Sequence, residues 1–261
     1  MDVAYLGGVA IHFRYSEGAP SLVFANSLGA DYRIWNGVID LLPDTYGSLR
    51  YDKRGHGLSD LGEETFTLDA HVEDLEGLID YHALGPVVLC GVSIGGMISM
   101  GLADRRPDLV AGLVLCGTGH RISEASTWER RISVVEAEGV PGIADEVVSG
   151  WFTEAYRRDH PEALSVWRNM LVRTPPNGYA RSCMAIRDSD LTEVVSGLKA
   201  PALCLVGEED AVTPVNLMEE LAGLIPDARL GVIEGAGHMP VVEKSREVAT
   251  LIGGFLRELH L

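Results

Sequence analysis

The stretch Val87-Val88-Leu89-Cys90-Gly91-Val92-Ser93-Ile94-Gly95-Gly96 decides how the chain is read. Four apolar, strand-forming residues run into it, and helix-compatible residues run out of it to Arg105. The expected local structure is strand, tight turn, helix, with Ser93 at the tip. A serine so placed is a nucleophile elbow. Residues two away must be small to let the backbone bend, hence Gly91 and Gly95, and Gly96 lets the helix lie close to the strand. A serine hydroxyl is a weak nucleophile at neutral pH, so the rest of the chain has to supply a base and an oxyanion hole. The competing reading, an inert turn serine, fits this strand-to-helix placement poorly.

Residues 83–103 carry no charge and are long enough to span a bilayer. Gly85-Pro86 and the glycines at 91, 95 and 96 interrupt them, which predicts a buried strand and helix instead. Outward from here, strand-like runs occur at 10–15, 21–25, 48–51 and 113–116, alternating with helical spacing at 34–42 and 68–84. The alternation resumes at 202–206, 215–224, 229–233 and 246–259. It implies an α/β class with a mostly parallel sheet after an antiparallel start. Residues 118–195 show only helical spacing, at 128–138, 143–151 and 161–171. They are expected to form a helical cap inserted into a core made of residues 1–117 and 196–261.

The base is expected late in the chain. His238 sits in Gly235-Ala236-Gly237-His238-Met239-Pro240, between a strand and the last helix. A glycine-flanked loop there can hold a side chain over the edge of the sheet where α/β sites lie. His120, at the mouth of the insertion, is the other histidine placed near a site; His56, in Tyr51-Asp52-Lys53-Arg54-Gly55-His56-Gly57, reads as structural. Asp210 follows strand 202–206 through Gly207-Glu208-Glu209 and would orient His238, with Glu208 and Glu209 as competitors. The order Ser93, Asp210, His238 is that of α/β-hydrolases. The oxyanion donors would be the N–H groups of Ile94, at a helix N-terminus, and of Leu28, in the loop after strand 21–25.

Bulk properties narrow the partners. A net charge of −17 argues against a nucleic-acid surface. Four cysteines without a CxxC pair argue against zinc or redox chemistry, and no cofactor is called for. The first residues lack a basic segment followed by an apolar one, so a cytoplasmic, non-membrane protein is expected. The insertion holds nine of the eighteen arginines and none of the lysines. Arginine grips carboxylates with a rigid fork, so some of these nine suit an anionic ligand and others pair with acids on solvated faces.

Phe24-Ala25-Asn26-Ser27-Leu28-Gly29 resembles the oxyanion loop of the 3-oxoadipate enol-lactonases, with Asn-Ser where many relatives of the fold carry His-Gly. The resemblance continues through residues 50–60 and 90–97. It extends into the insertion at Arg121-Ile122, Trp128, Arg131-Ile132, Trp151-Phe152-Thr153, Arg173-Thr174-Pro175, Gly178-Tyr179 and Cys183-Met184-Ala185-Ile186-Arg187-Asp188. It implies the α/β-hydrolase fold with eight strands, helices on both faces and a helical cap. It further implies hydrolysis of 3-oxoadipate enol-lactone in the catabolism of protocatechuate and catechol. The substrate would be a small anionic lactone whose carboxylate meets Arg121 first, then Arg131 or Arg187, with Trp128 as an apolar wall. Some members of the family are fused to a C-terminal decarboxylase, which is not expected here. A broad carboxylesterase or a carbon–carbon bond hydrolase on the same scaffold is the alternative enzyme, and a non-catalytic ligand receptor the alternative class.

Overall fold

The computed structural model describes residues 2–62 and 67–261. Among the described residues eight strands form one sheet: β1 (Asp2–Leu6), β2 (Val9–Ser16), β3 (Ser21–Ala25), β4 (Gly47–Tyr51), β5 (Val87–Val92), β6 (Val110–Cys116), β7 (Ala202–Gly207) and β8 (Ala228–Ile233). Their order across the sheet is β1-β2-β4-β3-β5-β6-β7-β8. β1 and β2 pair antiparallel, as do β2 and β4, and every other neighbour is parallel. β5 and β7 are buried at every residue, which is why they read as unbroken apolar runs: parallel strands covered on both faces have no solvent side to mark. β1 escapes the sequence reading because it is short and only Ala4 is buried in it. The Gly7-Gly8 pair between β1 and β2 was the available hairpin signal.

In the first half α1 (Asn36–Ile39), α2 (Leu68–Tyr81) and α3 (Ile94–Arg105) connect the strands. Residues 34–42, read as one helix, split into a 3-10 turn capped by the Asp31 side chain and the single turn α1. Between β6 and β7 the described chain is helical: α4 (Ala125–Glu138), α5 (Ala144–Trp151), α6 (Glu154–Asp159), α7 (Pro161–Val172), α8 (Pro176–Arg187) and α9 (Thr192–Ser196). α10 (Val215–Leu224), α11 (Pro240–Glu243) and α12 (Ser245–Glu258) complete the chain. α1 packs against α12, whereas α2, α3, α9 and α10 form a separate row. α3 is buried almost all round, its apolar residues facing sheet and neighbouring helices alike. Residues 83–103 are thus β5, the turn and α3, and among the described residues no helix is long and apolar enough to cross a membrane.

Chain order reverses between β3 and β5: β3 leads to β4 on one side, and the chain then crosses back to β5 on the other. A crevice at the carboxyl ends of the strands is expected at such a switch point. The loops after β3, β5, β7 and β8 carry Leu28, Ser93, Asp210 and His238 respectively.

Candidate active site

Ser93 joins β5 to α3 with φ 58° and ψ −121°, a conformation that L residues rarely adopt. The two glycines flanking it are forced by contact. A Cβ on Gly91 would lie 2.3 Å from the Gly95 carbonyl oxygen, and a Cβ on Gly95 would lie 2.4 Å from that of Ala25. The strained turn is pinned from β6: the Ser93 N–H donates to the Cys116 carbonyl at 3.0 Å, and Thr118 Oγ1 donates to the Ser93 carbonyl at 2.6 Å.

His238 Nδ1 lies 3.0 Å and 3.2 Å from the two carboxylate oxygens of Asp210. Both side chains are buried. With Nδ1–H donated to a carboxylate, the neutral ring carries its lone pair on Nε2, the state a general base requires. Asp210 is itself held: Oδ1 accepts from the N–H groups of Val212 at 2.8 Å and Thr213 at 2.9 Å, and Oδ2 from Thr213 Oγ1 at 2.8 Å. Burial pushes its carboxyl up, but the His238 charge and these hydrogen bonds outweigh burial, so its pKa falls below the usual carboxylate range. The competitors are elsewhere. Glu208 and Glu209 are exposed, and Glu208 accepts from the Gly235 N–H.

Next to Ser93, the N–H groups of Leu28 and Ile94 make no hydrogen bond among the described residues. The Leu28 loop is fastened on either side of that N–H. Lys53, buried, donates to the carbonyls of Ser27 at 2.5 Å and Ala30 at 3.4 Å. His56 Nε2 accepts from the Gly29 N–H at 3.0 Å, while its Nδ1 lies 3.3 Å from the Arg54 carbonyl. Burial first, then the Lys53 charge, holds the His56 pKa well below normal, keeping the neutral ring that this pair of bonds needs. The expectation of a structural His56 acquires its reason here: the turn at 52–57 shapes the β3 loop.

Leu28, Ser93 and His238 share a cavity with Trp128 and Arg131 of α4 and Tyr179 of α8. Its volume is about 40 Å³, far below the roughly 300–1,000 Å³ of ligand pockets. Glu146, Val147, Gly150 and Trp151 of α5 border it as well. A larger hollow of about 490 Å³ beside Trp167 and Val242 contains no candidate nucleophile or base.

Among the insertion residues, Trp128 and Arg131 lie at the cavity, with the Arg131 guanidinium 5.2 Å from the Trp128 ring centroid. The structure does not bring Arg121 or Arg187 there. Arg121, its side chain 56% exposed, is 3.9 Å from Glu124. Arg187 pairs with the neighbouring Asp188 at 2.7 Å. Position in the sequence could not separate these three, because helix phase decides which one turns inward. His120 does not border the cavity; its carbonyl accepts from the Leu191 N–H. The sequence reading missed Thr213, three residues past Asp210 in the spacing of a side-chain-to-backbone turn. It also missed Glu243, which accepts from the N–H groups of Gly237 and Thr153, both at 2.7 Å, and so ties the His238 loop to the start of α6.

Comparison with known proteins fits this geometry. The chain is 31% identical to 3-oxoadipate enol-lactonase 2 of Acinetobacter baylyi over 86% of its own length and 84% of that protein's. The crystal structure of the enol-lactonase from Burkholderia xenovorans LB400 superposes with a TM-score of 0.95 at 32% identity, covering 98% of this chain and all of that one. A thermophilic esterase from Thermogutta terrifontis, solved with malate bound, gives a TM-score of 0.94 at 30% identity over the whole of both chains. The profile of the alpha/beta hydrolase family matches residues 22–251. Because that match runs from β3 into α12 and the relatives are covered nearly end to end, the chain belongs to the alpha/beta hydrolase family.

Proposed function

We propose that the protein hydrolyses 3-oxoadipate enol-lactone to 3-oxoadipate through an acyl-enzyme on Ser93. The observation that carries this reading is the single cavity in which Ser93, His238 and Leu28 meet Arg131 and Trp128. It joins the parts of a nucleophilic site to a cation and an apolar wall. The enol-lactonases among the relatives supply the substrate, a five-membered lactone with an acetate arm.

In the proposed reaction His238 Nε2 takes the Ser93 proton as Oγ bonds to the lactone carbonyl carbon. The N–H groups of Leu28 and Ile94 receive the negative charge that forms on the carbonyl oxygen; losing one donor of this kind raises a barrier by roughly 3–4 kcal/mol. The ring C–O bond then breaks, and the leaving enol oxygen takes the proton back from His238. An enolate is a better leaving group than an alkoxide, so this proton transfer is undemanding. Water, deprotonated by His238, attacks the acyl-enzyme carbonyl, the bond to Ser93 Oγ breaks as His238 returns that proton to the oxygen, and the freed enol becomes the ketone of 3-oxoadipate. Asp210 fixes the tautomer of His238 and stabilises its cation without accepting the proton. The insertion, residues 118–195, would act as the cap over this cavity. A pathway for breaking down aromatic compounds is the setting this substrate implies.

The Thermogutta esterase, alike over the full chain, favours a second reading, a broader carboxylesterase. Rates on the enol-lactone and on a panel of p-nitrophenyl esters separate the two. The lactonase reading expects kcat/KM for the lactone to exceed that for every ester by at least about a hundredfold; esters turned over as fast as the lactone would select the esterase.

A further inference from the structure

We propose that Tyr179 and Arg131 together form the carboxylate-binding end of the cavity, and that Tyr179 makes the site prefer acid lactones to neutral ones. This rests on reading the cavity as a site of lactone hydrolysis.

Two polar atoms bordering this cavity, Tyr179 Oη and Arg131 Nε, are buried without a well-formed hydrogen bond among the described residues, and the two side chains stand close enough to each other to interact. Tyr179 is 0% exposed. Buried polar groups are almost always paired, so two orphans lining the cavity of the candidate nucleophile indicate a ligand. The orphan Nε of Arg131 is an N–H donor, and a protonated phenol is an O–H donor. Their common complement is an anion with two acceptor oxygens, a carboxylate. Tyr179 stays protonated at neutral pH, because burial raises its phenol far more than the Arg131 charge and the close approach of the Arg131 side chain lower it.

Arg131 has charge to spare. Its Nη2 lies 3.5 Å from Glu146 Oε1, a loose contact, whereas Arg130 grips both oxygens of Glu146 at 2.6 Å and 3.0 Å. An incoming carboxylate can therefore draw Arg131 away while Arg130 keeps Glu146 neutralised. The Tyr179 ring also sets the span of the site. A Cβ on Gly29 would lie 3.0 Å from Tyr179 Cε2, so the ring lies against the loop that presents the Leu28 N–H. One side chain thus reaches from the oxyanion loop, where the lactone carbonyl would sit, to Arg131, where the acetate arm would end.

The test is Tyr179→Phe, which removes the oxygen and keeps the ring on Gly29, alongside Arg131→Met. Substrates are the enol-lactone acid and its neutral analogue with methyl in place of the acetate arm. The ratio of the two kcat/KM values is expected to fall roughly ten- to a hundredfold in either variant, as for a lost hydrogen bond to a charged group. An unchanged ratio overturns the proposal. Succinate inhibition of p-nitrophenyl acetate hydrolysis reads the anion site without lactone chemistry. Competitive inhibition that weakens at least about tenfold in Tyr179→Phe supports the site, even if the wild type fails to open the lactone, an outcome that would sink only the lactonase reading. Succinate acting equally on wild type and variant, or on neither, contradicts it.

Discussion

At Asp210 both carboxylate oxygens are committed, to His238 on one side and to Val212 and Thr213 on the other. Asp210→Asn keeps the shape but offers His238 an amide that can donate, which favours the wrong tautomer. Turnover is expected to fall roughly 10⁴-fold with the fold retained; kcat beside a thermal melt checks it. Lys53 is the other residue whose protonation matters. Burial drives its pKa from 10.5 down to about 7, against the weaker pull of Asp52 and Asp31. Between those values the unfolded chain binds the extra proton and the folded one does not, so this group adds stability as pH rises from about 7 to about 10.5. The melting temperature of wild type minus that of Lys53→Met is expected to rise across that window. The side chains with the strongest chemical signature, Ser93, Asp210 and His238, were the legible ones. Thr213 was not, and Tyr179 entered only as part of the Gly178-Tyr179 resemblance with no role attached, since a tyrosine or threonine in a loop or helix does not reveal its part until its neighbours in space are known.

Among the elements, α8 packs against α4 and α2. Its Gly178 rests on the Gly55 turn so closely that a Cβ there would lie 2.2 Å from the Gly55 carbonyl oxygen. The same helix carries Tyr179, one residue on. Gly178→Ala forces α8 off this turn; overpacking of this kind costs roughly 1–3 kcal/mol. A lowered unfolding midpoint, with kcat/KM for the lactone falling further than that for a small ester, is the expected result of denaturant titration and kinetics. The sequence periodicity shows the buried strands and the long helices α3, α10 and α12 because each has a continuous apolar face or core. It does not show α8, which opens with Pro176-Asn177-Gly178 and reads as a turn, although proline is also favoured in the first turn of a helix. Nor can it show that α4, α5 and α8 all border the cavity, since helix-on-helix placement follows from packing between distant segments.

The whole molecule carries a net charge of −17, and its insertion, with nine arginines against twelve acids, is itself negative. An anionic lactone would therefore approach a repelling field and meet the Arg131 guanidinium at the cavity. Raising salt from about 10 mM to about 150 mM shortens the screening length from about 30 Å to about 8 Å. The expected outcome is that kcat/KM for the acid lactone rises with salt while that for its neutral analogue stays level, as initial rates in both buffers would show. Catalysis as proposed requires the nucleophile elbow to meet a substrate selected by the helices above it. Its most direct test is incubation of the purified protein, and of Ser93→Ala, with authentic 3-oxoadipate enol-lactone, following formation of 3-oxoadipate. The account predicts rapid hydrolysis by the wild type and none above the uncatalysed rate by Ser93→Ala; a wild type no faster than the variant would contradict it.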